Sequence, residues 1–249
     1  MIPLPNGLTC YLTSAELRRL AKFTVREIFE QRCYWRSGFE LRRDDTVVDV
    51  GGNIGLFVLW AAPQIPQGRI VTIEPTRAID CLKLNVELNR LPNVTAIQTA
   101  VGTDGGQTEL VLYPGLECIT HNLGLRHGWL LRRLATWVSS RSESAVEHIV
   151  SPMVSLGRIL DDCQLPVVNY LKIDCEGGEY EILRNMSPTH WQRIERVAME
   201  YHELSPDHHH EELVAILRNN GFAVEVTGTW MRHFLVKTGG IWARRSVGS

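Results

Sequence analysis

Residues 46–59 read Thr-Val-Val-Asp-Val-Gly-Gly-Asn-Ile-Gly-Leu-Phe-Val-Leu, and the rest of the chain can be interpreted from this stretch. The β-branched run at its start is typical of a strand that is buried on both faces of a sheet. Gly51, Gly52 and Gly55 then permit a tight turn whose backbone a ligand can approach closely. An apolar segment that suits a helix follows. We therefore expect a strand, a ligand-binding turn and a helix, in that order.

The charge of this turn indicates which ligand it binds. A dinucleotide site would need glycine at the position of Asn53, and Asp49 would repel its pyrophosphate. The carboxylate of Asp49 instead favours a cationic ligand such as S-adenosylmethionine. Glu74 follows the next apolar run, where doubly wound sheets bind a ribose diol. The turn, Asp49 and Glu74 thus fit a nucleoside with a cationic tail; the alternative is a well-packed turn beside two surface acids.

The composition indicates one large core and no strong charge. The chain has 249 residues, of which 44% are hydrophobic, and a formal net charge of -2. Such a chain has no general attraction for nucleic acid or for anionic membranes. The six cysteines form no Cys-x-x-Cys pair, and neither a signal peptide nor a membrane-spanning apolar run is evident. We expect a cytoplasmic protein that acts on a small molecule, and a homodimer is compatible with these features.

Strands and helices alternate along most of the chain, which predicts a parallel sheet with helices on both faces. We predict helices that begin at Ser14, Thr76, Tyr180 and Ser205, and further strands at residues 69–73, 94–101, 167–173, 197–202, 222–226 and 234–237. The last two strands are expected to be an antiparallel pair. The predicted organisation is a helical cap at 1–45, a main domain at 46–240 and a loose tail at 241–249.

Residues 107–155 interrupt this alternation. A strand is predicted at 108–113, and a glycine-rich, aromatic and basic segment follows it. A long connection between core strands is more often functional than idle. We expect residues 116–140 to cover the pocket of the acceptor substrate; a solvated amphipathic helix is the alternative. The segment would supply apolar walls and anion-binding side chains, namely Trp129, Trp137, Arg126, Arg132 and Arg133.

Polar side chains follow two later strands of the predicted sheet. Asp174 and Glu176 come directly after the strand at 167–173, and Glu200 and His202 end the strand at 197–202. The carboxyl ends of parallel strands form the ligand-binding edge of an open α/β sheet. These four side chains are therefore candidates for a catalytic site.

Five short blocks of the sequence carry a resemblance to a known family. They are Val-Val-Asp-Val-Gly-Gly-Asn-Ile-Gly at 47–55, Ile-Glu-Pro at 73–75, Ala-Val-Gly at 100–102, Leu-Lys-Ile-Asp-Cys-Glu-Gly-Gly-Glu at 171–179 and Met-Glu-Tyr-His at 199–202. Together they resemble the FkbM-type S-adenosylmethionine-dependent methyltransferases, which are mostly O-methyltransferases of natural products and glycans. The resemblance implies an α/β, Rossmann-like class I methyltransferase fold. That fold has a mostly parallel seven-stranded sheet with helices on both faces and a terminal antiparallel strand.

The resemblance also implies the reaction and the cofactor site. The reaction would methylate a hydroxyl of a small molecule, natural product, sugar or carrier-bound intermediate. The alternatives are an NAD(P)-dependent oxidoreductase and a cofactor-binding scaffold without catalysis. The expected cofactor-binding residues are Asp49, Gly51, Gly52, Asn53, Gly55, Glu74, Pro75, Ala100 and Asp174, with the loop at 98–100 beside the adenine.

Methyl transfer to oxygen also needs a group that handles the hydroxyl proton. Asp174, Glu176 and His202 are the candidates, and His202 suits a general base because imidazole titrates near neutrality. A histidine with a purely structural hydrogen bond is the alternative. A divalent cation held by Asp174 and Glu200 is a second route. Because the sequence shows no compact set of ligands, we expect no metal site.

Overall fold

The amino-terminal segment packs against the main domain. In this computed structural model the described residues are 1–13, 17–112, 120–122, 147–228 and 237–246. Strands β1 (Ile2–Pro3) and β2 (Thr9–Cys10) form an antiparallel hairpin, and helix α1 (Leu17–Val25) continues into a π-helical turn at Arg26–Glu30. The cap therefore begins with a hairpin, in a part of the chain for which no element was predicted. The helix start predicted at Ser14 lies outside the described residues.

The quoted stretch forms the predicted strand, turn and helix. Strand β3 (Thr46–Val50) is followed by helix α2 (Leu56–Ala61), which ends in a 3-10 turn at Ala62–Gln64. Strand β4 (Arg69–Ile73), helix α3 (Ala78–Leu88) and strand β5 (Val94–Ile97) come next, and β3, β4 and β5 pair in parallel.

The strand predicted at 94–101 is two strands in the structure. The chain leaves the main sheet after Ile97, and β6 (Ala100–Val101) pairs with another strand. The Thr99 hydroxyl donates to the carbonyl of Pro152 at 3.0 Å and so ties the chain to this second partner.

Part of the insertion forms a second sheet. Strands β7 (Gln107–Leu112), β8 (Thr120–Asn122) and β9 (Glu147–Val154) join β6 in the order β6-β9-β7-β8. The prediction of a strand near 108–113 is confirmed. Strand β9 is absent from the sequence prediction, since Pro152 lies within it and proline interrupts strand patterns. Residues 123–146, which carry the predicted tryptophan walls and arginines, lie outside the described residues.

The rest of the chain completes the alternation. The elements are α4 (Leu156–Asp162), β10 (Tyr170–Ile173), α5 (Glu179–Arg184), α6 (Pro188–Trp191), β11 (Arg196–Glu203), α7 (His210–Asn219), β12 (Phe222–Thr227) and β13 (Lys237–Arg245). The helix predicted to begin at Ser205 begins at His210 instead. The amide of His208 donates to the Ser205 carbonyl at 3.0 Å, which closes a separate turn before the helix.

Among the described residues, seven strands form the main sheet in the order β12-β13-β11-β10-β3-β4-β5. The last strand, β13, is antiparallel to both of its neighbours, and the other pairings are parallel. This arrangement confirms the predicted Rossmann-like fold with a terminal antiparallel strand. No helix in these ranges has both the length and the hydrophobicity that crossing a bilayer requires.

The loose tail predicted from residue 241 is wrong for the part that the structure describes. Ile241 and Ala243 are fully buried in β13, which lies between β11 and β12. The glycine pair before them looks like a break but belongs to the strand. A Cβ on Gly239 would lie 2.6 Å from the hydroxyl of Tyr201, so the strand needs glycine there to pass that ring.

Candidate functional site

The turn after β3 needs glycines because other parts of the chain lie very close to it. Gly51 has a φ of 80°, and a Cβ there would lie 1.9 Å from the carbonyl oxygen of Asp174. A Cβ on Gly52 would lie 2.2 Å from the hydroxyl oxygen of Thr72. Gly55, with a φ of 91°, precedes α2 against Leu82. The glycines were predicted from close approach of a ligand, but packing against the chain already requires them.

Glu74 connects this turn to the end of β4. Its Oε2 accepts a hydrogen bond from the amide of Asn53 at 2.9 Å, and its Oε1 accepts one from the amide of Thr76 at 2.9 Å. The side chain is almost fully buried, and burial raises the pKa of its carboxyl. Each carboxylate oxygen has a second lone pair, so Glu74 keeps acceptor capacity for a hydroxyl pair.

A cleft of about 330 Å³ is lined by Pro75, the residue that follows Glu74 in the chain. Pro75 and Gln98 form one side of it, and residues of β9 form the other. Among the described residues, the cleft is lined by Pro75, Arg77, Gln98, Ile149, Val150, Ser151 and Pro152. Pro75 and Gln98, which begins the loop predicted to lie beside the adenine, therefore line one cleft. Ala100 is buried in β6 and does not line the cleft.

Asp49 is paired with a buried lysine. The ammonium of Lys172 lies 3.0 Å from Oδ1 of Asp49, and the Thr72 hydroxyl donates to Oδ2 at 2.8 Å. Lys172 also donates to the carbonyl of Gly51 at 2.8 Å. Burial lowers the pKa of Lys172, but Asp49 and Asp174 outweigh it and raise the pKa, so the ammonium stays charged. The premise that Asp49 presents a free negative charge to a ligand is therefore wrong, because Lys172 neutralises it.

Asp174 meets a tyrosine from the amino-terminal segment. The hydroxyl of Tyr34 donates to Oδ2 of Asp174 at 2.6 Å, and the ring of Tyr34 lies 5.6 Å from the Lys172 ammonium. Burial and the nearby Asp174 raise the pKa of Tyr34 well above its ordinary value. The Asp174 side chain is 26% exposed, so it can meet a substrate. Sequence reasoning identified neither Tyr34 nor Lys172.

His202 is surrounded by carboxylates. Its Nδ1 lies 3.1 Å from Oε1 of Glu179, and its Nε2 lies 3.6 Å from Glu176 and 3.9 Å from Glu200. Burial lowers the pKa of His202, but Glu176 and Glu179 outweigh it and raise the pKa well above its ordinary value. These surroundings therefore do not favour the ionisation near neutrality that was predicted for His202.

Two acidic side chains near His202 have raised pKa values. Burial raises the pKa of Glu176 to about 7 and that of Glu200 to about 8. Glu179 is fully buried and accepts hydrogen bonds from the amides of Cys175 and Gly177. Glu179 was not predicted as a site residue, although it is the last residue of the block at 171–179.

The structure brings three possible metal ligands together. One ligand atom each from Asp174, Glu200 and His202 lies within 4.8 Å of the others. The expectation of no metal site rested on the lack of a compact ligand set. That reason does not hold, since the adjacent strands β10 and β11 place these residues at one edge.

Comparisons with known proteins point to one family. The profile of the methyltransferase FkbM domain matches residues 49–224. The 31-O-demethyl-FK506 methyltransferase FkbM of Streptomyces tacrolimicus is 31% identical over 236 residues, which cover 89% of this chain and 88% of the relative. Methyltransferase sdnD of Sordaria araneosa is 29% identical, and the alignment covers 82% of this chain and 83% of the relative.

The fold is also found in solved structures. A methyltransferase FkbM from Methylobacillus flagellatus has a TM-score of 0.51 at 14% identity, over 84% of this chain and 46% of that chain. At this identity the similarity concerns the fold alone.

Proposed function

This chain belongs to the FkbM family of S-adenosylmethionine-dependent methyltransferases, and from that premise we propose that it methylates a hydroxyl group of a small or carrier-bound molecule. The family membership is at odds with the oxidoreductase alternative. The observation that carries the choice of oxygen is the partly exposed carboxylate of Asp174, at the edge where β3 and β10 end beside β11.

The described residues fit the cofactor. Glu74 supplies buried carboxylate oxygens for a ribose diol, and the adjacent cleft of about 330 Å³ has room for a purine ring. The carboxylates beyond the glycine turn suit a cationic ligand. When bound, S-adenosylmethionine supplies an electrophilic methyl group.

Asp174 is well placed to handle the acceptor. A hydroxyl must be oriented and relieved of its proton for methylation, and both tasks suit a carboxylate at the sheet edge. The Tyr34 hydroxyl holds Oδ2 of Asp174, which leaves Oδ1 for an acceptor or another ligand. The O-methyltransferase name of the Streptomyces tacrolimicus relative supports transfer to oxygen.

The insertion is proposed to confer the choice of acceptor. Strand β9, which directly follows the segment between β8 and β9, lines the cleft. The net charge of -2 favours a small molecule over nucleic acid as the acceptor.

The reaction class can be tested directly. The full chain is incubated with methyl-¹³C S-adenosylmethionine and fractionated metabolite extract, and labelled products are examined by NMR. We expect a labelled methyl ether, whose carbon shift differs from those of methyl ester, N-methyl and S-methyl groups. Label found only on nitrogen, sulfur or carbon would contradict the proposal.

Replacing Glu74 by Ala is expected to weaken S-adenosylhomocysteine binding by about 1.5 to 3 kcal/mol, since hydrogen bonds to a charged group are lost. This is about a 10- to 150-fold rise in Kd, measured by calorimetry. Glu87→Ala, an exposed position on α3, is the matched control and should bind as wild type does. Unchanged affinity of a folded Glu74→Ala variant would rule out the assignment.

A further inference from the structure

The side-chain cluster at the ends of β10 and β11 has the composition of a cation site. Asp174, Glu200 and His202 offer two carboxylate oxygens and one imidazole nitrogen within 4.8 Å of one another. Two ligands on opposite sides of a cation, each at about 2.1 to 2.3 Å, lie about 4.2 to 4.6 Å apart. The three atoms lie within about this span, so one ion between them is within reach of all three side chains. We propose that these three residues bind a divalent first-row metal ion.

Two of the three ligands are already oriented by an outer hydrogen bond. Nδ1 of His202 faces Glu179 at 3.1 Å, which directs Nε2 toward Glu176 and Glu200. Both of those distances exceed hydrogen-bond length, so Nε2 of this 95% buried residue makes no hydrogen bond to either carboxylate. Tyr34 donates to Oδ2 of Asp174 in the same manner. Protein metal sites commonly hold their histidine and carboxylate ligands through such outer partners.

The charges around the cluster also suit a cation. Asp174, Glu176, Glu179 and Glu200 bring four carboxylates around one imidazole. The nearest ammonium, that of Lys172, is already paired with Asp49 and lies 4.0 Å from Asp174. Like charges crowded in a buried site are unfavourable unless a cation compensates them. A metal ion that binds Nε2 takes the place of a proton there and supplies that charge.

The donor set indicates the class of metal. Mg²⁺ prefers oxygen ligands alone, whereas an imidazole combined with carboxylates suits Mn²⁺, Fe²⁺ or Zn²⁺. A hydroxyl that is bound to a metal ion loses its proton more readily. A catalytic role of the ion therefore rests on the proposed methyl transfer to a hydroxyl. Binding of the ion is independent of that reaction and can be measured without an acceptor.

A second group of possible ligands provides the matched control. Glu203, His210 and Glu211 also lie close together. Here Nδ1 of His210 already contacts Glu203 at 2.8 Å, and the Glu211 side chain is mostly exposed. We do not expect this group to bind the ion.

The experiment titrates Mn²⁺ into the chelator-stripped full chain and follows free Mn²⁺ by electron paramagnetic resonance. We expect one Mn²⁺ per wild-type chain. Glu200→Gln keeps the shape of the side chain and removes its charge, and we expect binding at least about tenfold weaker. His202→Asn should act in the same direction, while His210→Asn should bind as wild type does. Thermal unfolding without metal verifies that each variant is folded.

Three outcomes would overturn the proposal. The first is no binding by the wild-type chain at millimolar Mn²⁺. The second is a folded Glu200→Gln variant that binds as wild type does, or loss of binding in His210→Asn. The third is displacement of Mn²⁺ by saturating S-adenosylhomocysteine, which would assign the cluster to the cationic end of the cofactor. Mn²⁺ binding without methyl transfer would refute the proposed function and leave the metal site standing.

Discussion

Replacement of Lys172 by Met is expected to lower the free energy of unfolding by about 3 to 5 kcal/mol. Lys172 is 3% exposed, and its ammonium is the charge that compensates the fully buried Asp49. Methionine fills similar space but leaves that carboxylate without its counter-charge, and it also removes the hydrogen bond to the Gly51 carbonyl. The measurement is urea unfolding followed by tryptophan fluorescence.

Two further variants determine whether the charge is the cause. Lys83→Met, at an exposed position on α3, should change the stability by less than about 0.5 kcal/mol. The double variant Lys172→Met with Asp49→Asn should be more stable than Lys172→Met alone, because no buried charge is then unpaired. A double variant as unstable as the single one would show that the lost lysine contacts, rather than the unpaired carboxylate, explain the effect.

Replacement of Asp174 by Asn is expected to lower turnover by about a hundredfold or more, the usual scale for losing a group that handles a proton. Asparagine has the same shape, and the Tyr34 hydroxyl can still donate to its side-chain oxygen. Asp174 could act as a general base or as a ligand of a cation. Both roles need the carboxylate charge that the substitution removes. The measurement is kcat at saturating S-adenosylmethionine, with the acceptor found in the labelling experiment.

Tyr34→Phe is the matched comparison for Asp174→Asn. It removes only the hydroxyl that donates at 2.6 Å and leaves the carboxylate charged, so its loss of turnover should be smaller, about tenfold or less. If Asp174→Asn keeps more than about a tenth of wild-type turnover, or loses less than Tyr34→Phe does, the assignment of Asp174 fails.

The local patterns of the sequence predicted the framework of the site. The strand at 46–50, the turn with its glycines and the acids at strand ends are short-range features, and parallel strand order then places Glu74 and Asp174 at one edge. The antiparallel direction of the last strand was also predicted, although its residue range was not. Gly239 and Gly240 look like a break, because the need for glycine arises from Tyr201 on a neighbouring strand.

The partners of the site residues could not be predicted, because they come from distant parts of the chain. Tyr34 lies 140 residues before the Asp174 that it contacts, and no local pattern links them. Lys172, unlike Tyr34, could have been identified from the sequence, since a lysine inside an otherwise buried strand needs a counter-charge. Asp49 is that counter-charge, and identifying the pair would have corrected the electrostatic argument about the cofactor. Likewise, the compact ligand set depends on the register of β10 and β11, which pairs Ile173 with Met199.

The position of β13 affects how the chain reaches its native state. This strand is synthesised after the other six of the main sheet, yet it lies between β11 and β12 rather than at an edge. Until it arrives, β11 presents an unpaired edge that can bind another chain. His202 and Glu200 belong to β11, so their surroundings are complete only after β13 has inserted. We therefore expect the edge that carries Glu200 and His202 to form late in folding, when the insertion of β13 also covers the exposed edge of β11.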